Sequence, residues 1–402
     1  MSKRKVGVWL IGARGGVATT VIVGWAALKQ GLTPDCGLVS QLDEFKPLDL
    51  IDWDQMVIGG HDIRETTLKA EAEKLANVSR AFDYRLVESC ESLLNEIDAN
   101  IRPGSILNVG KTIEGISDRN SVCSAATPSQ AISQIQADIT RFKTEHQLDQ
   151  IIVINVASTE PTGDLTHLPA TWDALKAEMD DEIASLIPAS SLYAMAAIDL
   201  GFPYVNFTPS VGSALPAIDD LARQRGVGHM GHDGKTGETL LKSALAPMFA
   251  NRNLEIMSWV GHNIFGNMDA VVLDDKDNKK TKVTSKDRLL GQILGYNPQT
   301  HISIEYIKSL GDWKTAWDHI HFKGFLGTPM VMQFTWQGCD SILAAPLVLD
   351  LVRFTERSQR SGHVGLMTFL SCFFKSPLGT EENNQQLQFA MLQEWTRQQI
   401  NG

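Results

Sequence analysis

Glycines that follow the first apolar segment of this sequence suit the binding of a dinucleotide. Segment 5–11 is short and rich in Val and Ile, which predicts a buried strand, and the glycine-rich turn 12–18 follows it. Glycine lets the backbone approach a pyrophosphate, and the N-terminus of the apolar helix predicted at 17–29 favours an anion. The spacing is G-x-x-G-G-x-A, so the glycine that G-x-G-x-x-G places at Ala13 or Arg14 is missing. A tight turn without a ligand is the alternative.

A dinucleotide site of this kind also needs an acidic side chain at a strand end, where it binds the ribose hydroxyls. Asp43 and Asp62 both fit by position. Asp62 comes just after the apolar strand predicted at 56–60, which is the better strand-end geometry. We therefore expect Asp62 to take this role.

Three lysines stand in settings that suit anionic chemistry. Lys375 follows the apolar run 369–374, where an ammonium would be partly desolvated and so useful as an acid or base. Lys282 and Lys286 lie four residues apart at a loop-to-helix transition and could share one helical face. The alternatives are solvated surface charges and, at Lys375, a lysine that reaches into solvent from a helix end.

A second glycine-rich run, at 231–237, predicts an anion-binding loop to which Asp233 adds a carboxylate. It contains Gly-Lys-Thr, but a nucleotide-triphosphate loop would need glycine at the position of His229, so that interpretation is rejected. No His, Asp, Glu or Cys cluster has metal-ligand spacing, and the sequence has no G-x-S-x-G elbow.

Strands that alternate with helices position these residues. Beyond 5–11, buried strands are predicted at 37–41, 56–60, 105–109, 151–156 and 204–206, with an amphipathic helix at 127–146. This pattern predicts an α/β fold, a mostly parallel sheet with helices on both faces.

The pattern changes after about residue 239. Alternation typical of half-exposed antiparallel strands occurs at 255–262, 270–273, 301–307 and 331–337. We expect an open antiparallel sheet, inserted at 240–339, whose second face is buried against another subunit. Apolar helices are predicted at 341–354, 367–374 and 385–399, with Asp340 as the N-cap of the first. The first domain would then comprise 1–239 and 340–402.

Composition excludes several classes of function. With 36 Lys and Arg against 47 Asp and Glu, the net charge is −11, which lacks the positive field that nucleic-acid binding needs. The five cysteines include no CxxC pair, so we expect reduced thiols and neither a disulfide framework nor a zinc ribbon. The N-terminus lacks a signal-cleavage pattern and no run of 18 apolar residues occurs, which predicts a cytoplasmic protein.

Six separated motifs, read together and in order, resemble the inositol-3-phosphate synthases (myo-inositol-1-phosphate synthases), in a compact prokaryotic type. The similarity runs from Gly12 to at least Lys375. The motifs lie at 59–63 (GGHDI), 157–160 (ASTE), 235–239 (KTGET), 259–269 (WVGHNIFGNMD), 311–314 (GDWK) and 340–347 (DSILAAPL).

This resemblance implies a redox-neutral reaction. Family members are tetramers that bind NAD on a Rossmann-like domain, with the active site facing an inserted α+β open-sheet domain. They are isomerases that convert D-glucose 6-phosphate into 1D-myo-inositol 3-phosphate. The C5 hydroxyl is oxidised, the C6 enolate attacks the C1 aldehyde, and the hydride returns to C5. Fixed ammonium groups would stabilise the alkoxide, enolate and phosphate anions of such a pathway.

The resemblance also implies roles for single residues. Lys282 would move a proton at C5, Lys375 would stabilise the developing oxyanion, and Asp233 would orient the lysine cluster. Lys286 and Lys314 would contact phosphate or enolate oxygens. Phosphate binding is implied for Thr236, Gly237, Asn267, Lys286 and Lys314. Cofactor binding is implied for Gly12, Ala13, Gly15, Gly16, Val17, Asp62, Ala157, Ser158, Thr159, Asp312, Asp340 and Ser341. No metal ligand is implied, and whether a cation assists stays open.

The sequence departs from the family pattern at Met268, at 13–14 and at Glu238, where the family typically has Gln. A carboxylate beside a phosphate dianion is repelled. Either Glu238 turns outward or pairs with Lys235 or Lys242, or the pocket suits a substrate with a different anionic end. A cyclase for another phosphosugar, a net dehydrogenase and a non-catalytic NAD-binding regulator are the alternative functions.

Overall fold

The computed structural model describes residues 4–161, 163–181, 186–266 and 289–401. The strands are β1 (Val6–Ile11), β2 (Met56–Asp62), β3 (Ile101–Pro103), β4 (Gln150–Asn155), β5 (Tyr204–Asn206), β6 (Gly228–Gly231), β7 (Glu255–Phe265), β8 (Gln299–Tyr306), β9 (Trp313–Lys323), β10 (Pro329–Cys339) and β11 (Gly365–Leu366). The helices are α1 (Gly16–Lys29), α2 (Leu68–Lys74), α3 (Tyr84–Asp98), α4 (Lys111–Gly115), α5 (Pro128–His146), α6 (Trp172–Ala177), α7 (Ala189–Asp199), α8 (Pro216–Arg225), α9 (Gly237–Asn251), α10 (Asp340–Arg360) and α11 (Gln385–Asn401).

Seven parallel strands form the first sheet, in the order β11-β6-β5-β4-β1-β2-β3. Alternate residues of β1 enter opposite cores: Val8 and Leu10 pack on one face, Trp9 and Ile11 on the other. Both faces are therefore covered, which confirms the predicted α/β class. The strand order reverses between β1 and β4, and ligands of such sheets bind at the carboxyl ends of the strands at that point.

Two predicted strands of this sheet are wrong. Within segment 37–41 the structure has a 3-10 helix, Val39–Gln41, because the Asp350 carboxylate accepts the N–H groups of Val39 and Ser40 at 2.7 and 2.9 Å. Segment 105–109 is a loop, and the strand lies just before it, in β3. The apolar side chains of that loop, such as Val109, enter the core, which explains their strand-like composition.

The second sheet has the order β10-β9-β7-β8 and is mixed. The predicted wholly antiparallel sheet is wrong at one pair, because β7 and β8 run parallel. The chain between them, 266–298, is long enough for the crossover that a parallel pair requires. Strand β9 lies between β10 and β7 and was not predicted, and predicted strand 270–273 lies outside the described residues.

Helix α9 links the two sheets. Its side chains Ala246 and Phe249 pack with Trp259 and Ile320 on the inner face of the second sheet. After β10, helix α10 begins at Asp340 with Cys339 at its N-cap, so Asp340 is the first helical residue and not the predicted cap. The predicted helix at 367–374 is the 3-10 helix Thr368–Phe373.

Among the described residues, no helix combines the length and apolar character that crossing a membrane requires. All five cysteines are unpaired.

Candidate functional site

A cleft that encloses about 980 Å3, including solvent at its open side, lies between the carboxyl ends of the parallel strands and the second sheet. Its lining includes nine predicted site residues, namely Val17, Ala157, Thr159, Asp233, Thr236, Asp312, Lys314, Asp340 and Lys375. Glu238, which the sequence places beside the phosphate, and Gly234, which lies in the predicted anion-binding loop, also line it. No site role was predicted for the other lining residues, which are Val156, Phe207, Thr208, Pro209, Thr239, Phe265, Ile304 and Ala344. Residues 207–209 follow β5 directly, so the rule that parallel strands present ligands at their carboxyl ends would have found them.

The glycine turn after β1 is held tightly against its neighbours. Gly12 has φ +79°, and a Cβ there would lie 2.7 Å from the Ala157 Cα. The N–H groups of Gly12 and Ala13 donate to the His61 carbonyl at 2.9 and 3.0 Å, and Gly15 N–H donates to the Gly12 carbonyl. Only glycine fits the first position of this turn.

The N-terminus of α1 fits the pyrophosphate of a dinucleotide. Gly15 occupies the N-cap without a side chain to bond the first helical N–H groups, and the first turn has no acidic residue. A Cβ at Gly16 would meet no atom within 4 Å, so the backbone can be approached closely there. Unpaired N–H groups and the helix dipole favour an anion at such an end.

Asp62 is the last residue of β2 and is buried. Its Oδ2 accepts the Arg14 N–H at 2.7 Å and its Oδ1 accepts the Arg64 N–H at 2.9 Å. The carboxylate thus anchors the glycine turn, and its remaining lone pairs can accept ribose hydroxyls. Asp43, the alternative, is exposed on a 3-10 helix and paired with Lys46.

The turn at 157–159 follows β4 and faces the glycine turn. The Ala157 N–H donates to the Asn155 Oδ1 at 3.1 Å, and Ser158 is half-buried. The buried Glu160 accepts the Ser190 N–H at 2.9 Å, and burial raises the pKa of Glu160 to about 7. These bonds fix the turn at the edge of the cleft.

Asp233 and Lys375 meet across 142 residues of sequence. The Lys375 Nζ donates to the Asp233 Oδ1 at 2.8 Å, and the Lys375 N–H donates to the Asp233 carbonyl. The Lys375 side chain is 22% exposed, which agrees with the predicted partial desolvation, and its ammonium is also ion-paired. Pairing with a carboxylate holds a cation at a fixed place in the cleft.

The start of α9 has a second arrangement of groups that suits an anion. Thr236 is the N-cap and its hydroxyl does not bond the helix, while Gly237 has φ +60°. A Cβ at Gly237 would lie 3.8 Å from the Lys314 Nζ, which stands 5.2 Å from the Phe265 ring centroid. A helix N-terminus and an ammonium therefore converge here.

Lys235, like Lys242, is deeply buried. Its Nζ donates to the Gln385 Oε1 at 3.1 Å and to the Gln388 Oε1, which ties loop 231–237 to α11. Burial lowers the pKa of Lys235 to about 8, against opposing effects of Cys372 and Glu382. The sequence did not predict this burial, because packing against α11 is not visible in the local sequence.

Asp312 caps α10. Its Oδ2 accepts the Ser341 N–H at 2.9 Å, and its carbonyl accepts the Asp340 N–H at 3.0 Å. Asp312 and Asp340 line the cleft. Ser341 is fully buried behind the cleft wall. Burial and the neighbouring Asp312 raise the pKa of Cys339 to about 12.

Three predicted site residues, Asn267, Lys282 and Lys286, lie outside the described residues, as does Met268. Within the described ranges, no three His, Cys, Asp or Glu side chains are arranged to hold a metal ion.

Comparisons with known proteins agree on one family. The family model described as myo-inositol-1-phosphate synthase matches residues 6–397. Inositol-3-phosphate synthase 1 of Bacteroides thetaiotaomicron is 35% identical over 396 residues, which cover 93% of this chain and 90% of the relative. The Dictyostelium discoideum inositol-3-phosphate synthase is 30% identical, covering 89% and 75%. The crystal structure of inositol-3-phosphate synthase from Caenorhabditis elegans has a TM-score of 0.86 at 25% identity, covering 99% of this chain and 86% of that one.

Proposed function

The chain belongs to the myo-inositol-1-phosphate synthase family, and we propose that the cleft between its two sheets converts D-glucose 6-phosphate into 1D-myo-inositol 3-phosphate. The enzyme is an NAD-dependent isomerase of this family. One observation supports the site assignment. The start of α1, the N-terminus of α9 and the Asp233–Lys375 pair all line the same cleft. A dinucleotide, a phosphate and a developing oxyanion can therefore be held side by side.

The residues present fit NAD. The turn from Gly12 to Val17 would hold the pyrophosphate, Asp62 the ribose hydroxyls, and Thr159 the part that extends into the cleft. When bound, NAD supplies the acceptor for the C5 hydride and the donor that returns it. Asp312 and Asp340 also line the cleft, and the Asp312 carboxylate holds the start of α10 by accepting the Ser341 N–H.

The substrate phosphate would bind at the start of α9. Backbone N–H groups near Gly237, the Thr236 hydroxyl and the Lys314 ammonium are all suited to a dianion. Anchoring the phosphate there directs the sugar carbons towards the Asp233–Lys375 pair, so binding energy is used to orient the reacting centre.

Lys375 would act on the sugar oxygens. Oxidation of C5 to a ketone acidifies the C6 protons, and loss of one gives an enolate whose C6 attacks the C1 aldehyde. The C1 carbonyl oxygen becomes an alkoxide and takes up a proton. Lys375 donates one ammonium N–H to Asp233, so its other N–H groups can stabilise these oxyanions. We propose proton transfer at C5 for Lys282 and anion contacts for Lys286.

We expect catalytic amounts of NAD⁺ to sustain many turnovers of glucose 6-phosphate, because the hydride removed from C5 returns to C5. The measurement is phosphorus NMR of the product together with absorbance of NADH. Inositol phosphate should accumulate without NADH. A net dehydrogenase would release NADH in step with product, and a cyclase for another phosphosugar would leave glucose 6-phosphate unchanged.

We also propose the domain division 1–239 with 340–402 for NAD binding, and 240–339 for catalysis and assembly.

We propose that the second domain assembles the chain into a homotetramer. The outer face of the second sheet supports this assembly. Val260, Trp317 and Val331 lie on it, with Trp317 45% and Val331 51% exposed. Histidines such as His319 and polar side chains such as Thr335 lie opposite them, and the cores of subunit interfaces are similarly poor in permanent charges. Unpaired cysteines suit the cytoplasmic location that we propose.

We expect Trp317→Glu to dissociate the oligomer, because it places a carboxylate at the centre of the proposed interface. Light scattering after size exclusion would report the mass. Tyr84→Glu is the matched control, since Tyr84 is an aromatic side chain with 39% exposure on α3, a helix that packs on β2 of the first sheet. An unchanged mass for Trp317→Glu would contradict the proposed interface.

A further inference from the structure

A carboxylate stands where the substrate phosphate is proposed to bind. Glu238 lies in the first turn of α9 and lines the cleft, and its side chain is 1% exposed. It is therefore not turned outward. A buried negative charge next to a phosphate dianion would oppose binding, because Coulomb repulsion is strong where water is excluded. The site can accept a phosphate only if this charge is offset.

The Lys242 ammonium offsets the Glu238 charge from one helical turn away. The Lys242 Nζ lies 2.6 Å from the Glu238 Oε1, and the lysine side chain is 2% exposed. Residues i and i+4 face each other on a helix, so the pair needs no rearrangement of α9. Two opposite charges at this distance cancel over the range at which a phosphate would sense them.

The second sheet fixes the carboxylate in place. The Asn263 Nδ2 on β7 donates to the Glu238 Oε2 at 2.7 Å. A Cβ at Gly261 would lie 2.6 Å from the Glu238 Oε1, so glycine is required for β7 to approach this closely. The Trp259 ring, 5.7 Å from the Lys242 Nζ, and Asp318, which accepts the Trp259 Nε1–H at 2.7 Å, complete the enclosure.

We propose that Lys242 and Glu238 are positioning and specificity-determining residues for the substrate phosphate. Glu238 ties the N-terminus of α9 to β7, and Lys242 cancels its charge so that a dianionic phosphomonoester is accepted. This inference rests on the proposed function, because it takes the α9 N-terminus as the phosphate site.

Neutralising each charge in turn tests the pair, with NAD-loaded enzyme and two readouts: KM for glucose 6-phosphate and Kd for inorganic phosphate. K242M removes the ammonium that offsets the Glu238 charge, so both constants should rise at least tenfold while kcat changes less. The defect should shrink from pH 8 to pH 6, as phosphate gains a proton. E238Q removes the carboxylate and leaves the Lys242 ammonium in place, so both constants should fall. The double variant E238Q/K242M carries neither charge, and its constants should return to within about threefold of the wild type.

The matched control is K323M, since Lys323 is paired with Glu255 at the end of β9 and is remote from the cleft. Failure of the double variant to recover, or a loss confined to kcat, would show a merely structural pair and overturn the proposal. If K242M does not fold, E238Q alone decides: phosphate constants that stay unchanged or rise would mean that phosphate does not sense the Glu238 charge, and would overturn the proposal. The two proposals can fail separately. If the wild-type protein does not convert glucose 6-phosphate, but the Kd values for inorganic phosphate still change among the variants as expected, this inference is supported and the proposed function is refuted.

Discussion

Replacing Lys375 with Met should lower kcat for glucose 6-phosphate by about 10²- to 10⁴-fold, the range typical of a lost acid–base or charge-stabilising group. The Lys375 ammonium is held by Asp233 within the cleft, so the substitution removes a cation aimed at the reacting oxygens. Its effect should appear in kcat rather than in NAD binding, because an interaction made mainly in the transition state is lost.

Steady-state kinetics, NAD⁺ titration and thermal unfolding together measure this. Lys323→Met is the control, because Lys323 is also ion-paired but lies at the other end of the second sheet. The double variant Lys375→Met with Asp233→Asn also removes the carboxylate charge that Lys375 pairs with, and it should be as inactive as the single one. Activity within a few-fold of the wild type in either variant would refute the role of Lys375.

Replacing Gly12 with Ala should weaken NAD⁺ binding by roughly tenfold or more, a loss of at least about 1.4 kcal/mol of binding free energy. The new Cβ would lie 2.7 Å from the Ala157 Cα, and both residues belong to turns of the proposed cofactor site. The turn must therefore move away from β4. The positive φ of +79° adds backbone strain of about 1 kcal/mol for any residue with a side chain.

Gly31→Ala separates the two causes. Gly31 has a similar φ of +67°, but a Cβ there would meet no atom within 4 Å. It should lose stability through strain alone and bind NAD⁺ like the wild type. Calorimetric titration with NAD⁺ and thermal unfolding of both variants provide the comparison. Equal NAD⁺ affinities for the Gly12 and Gly31 variants would mean that the glycine turn does not contact the cofactor.

The sequence by itself determined the α/β class and the position of the glycine turn after β1. Strand periodicity and a glycine turn are local properties, readable within a dozen residues, as in 5–11 and 12–18. Lys242 is also one of the two lysines that the sequence offered as partners of Glu238, and it lies one helical turn away.

Tertiary structure decided what depends on distant neighbours. Parallel and antiparallel strands share the same alternation, so the pairing of β7 with β8 was not readable from it. Segment 37–41 became a 3-10 helix because a carboxylate more than 300 residues away binds its N–H groups. Packing against α11 desolvates Lys235, while Asp233 pairs with Lys375. Burial and pairing are properties of the assembled chain, because a charge responds to whichever groups folding brings beside it.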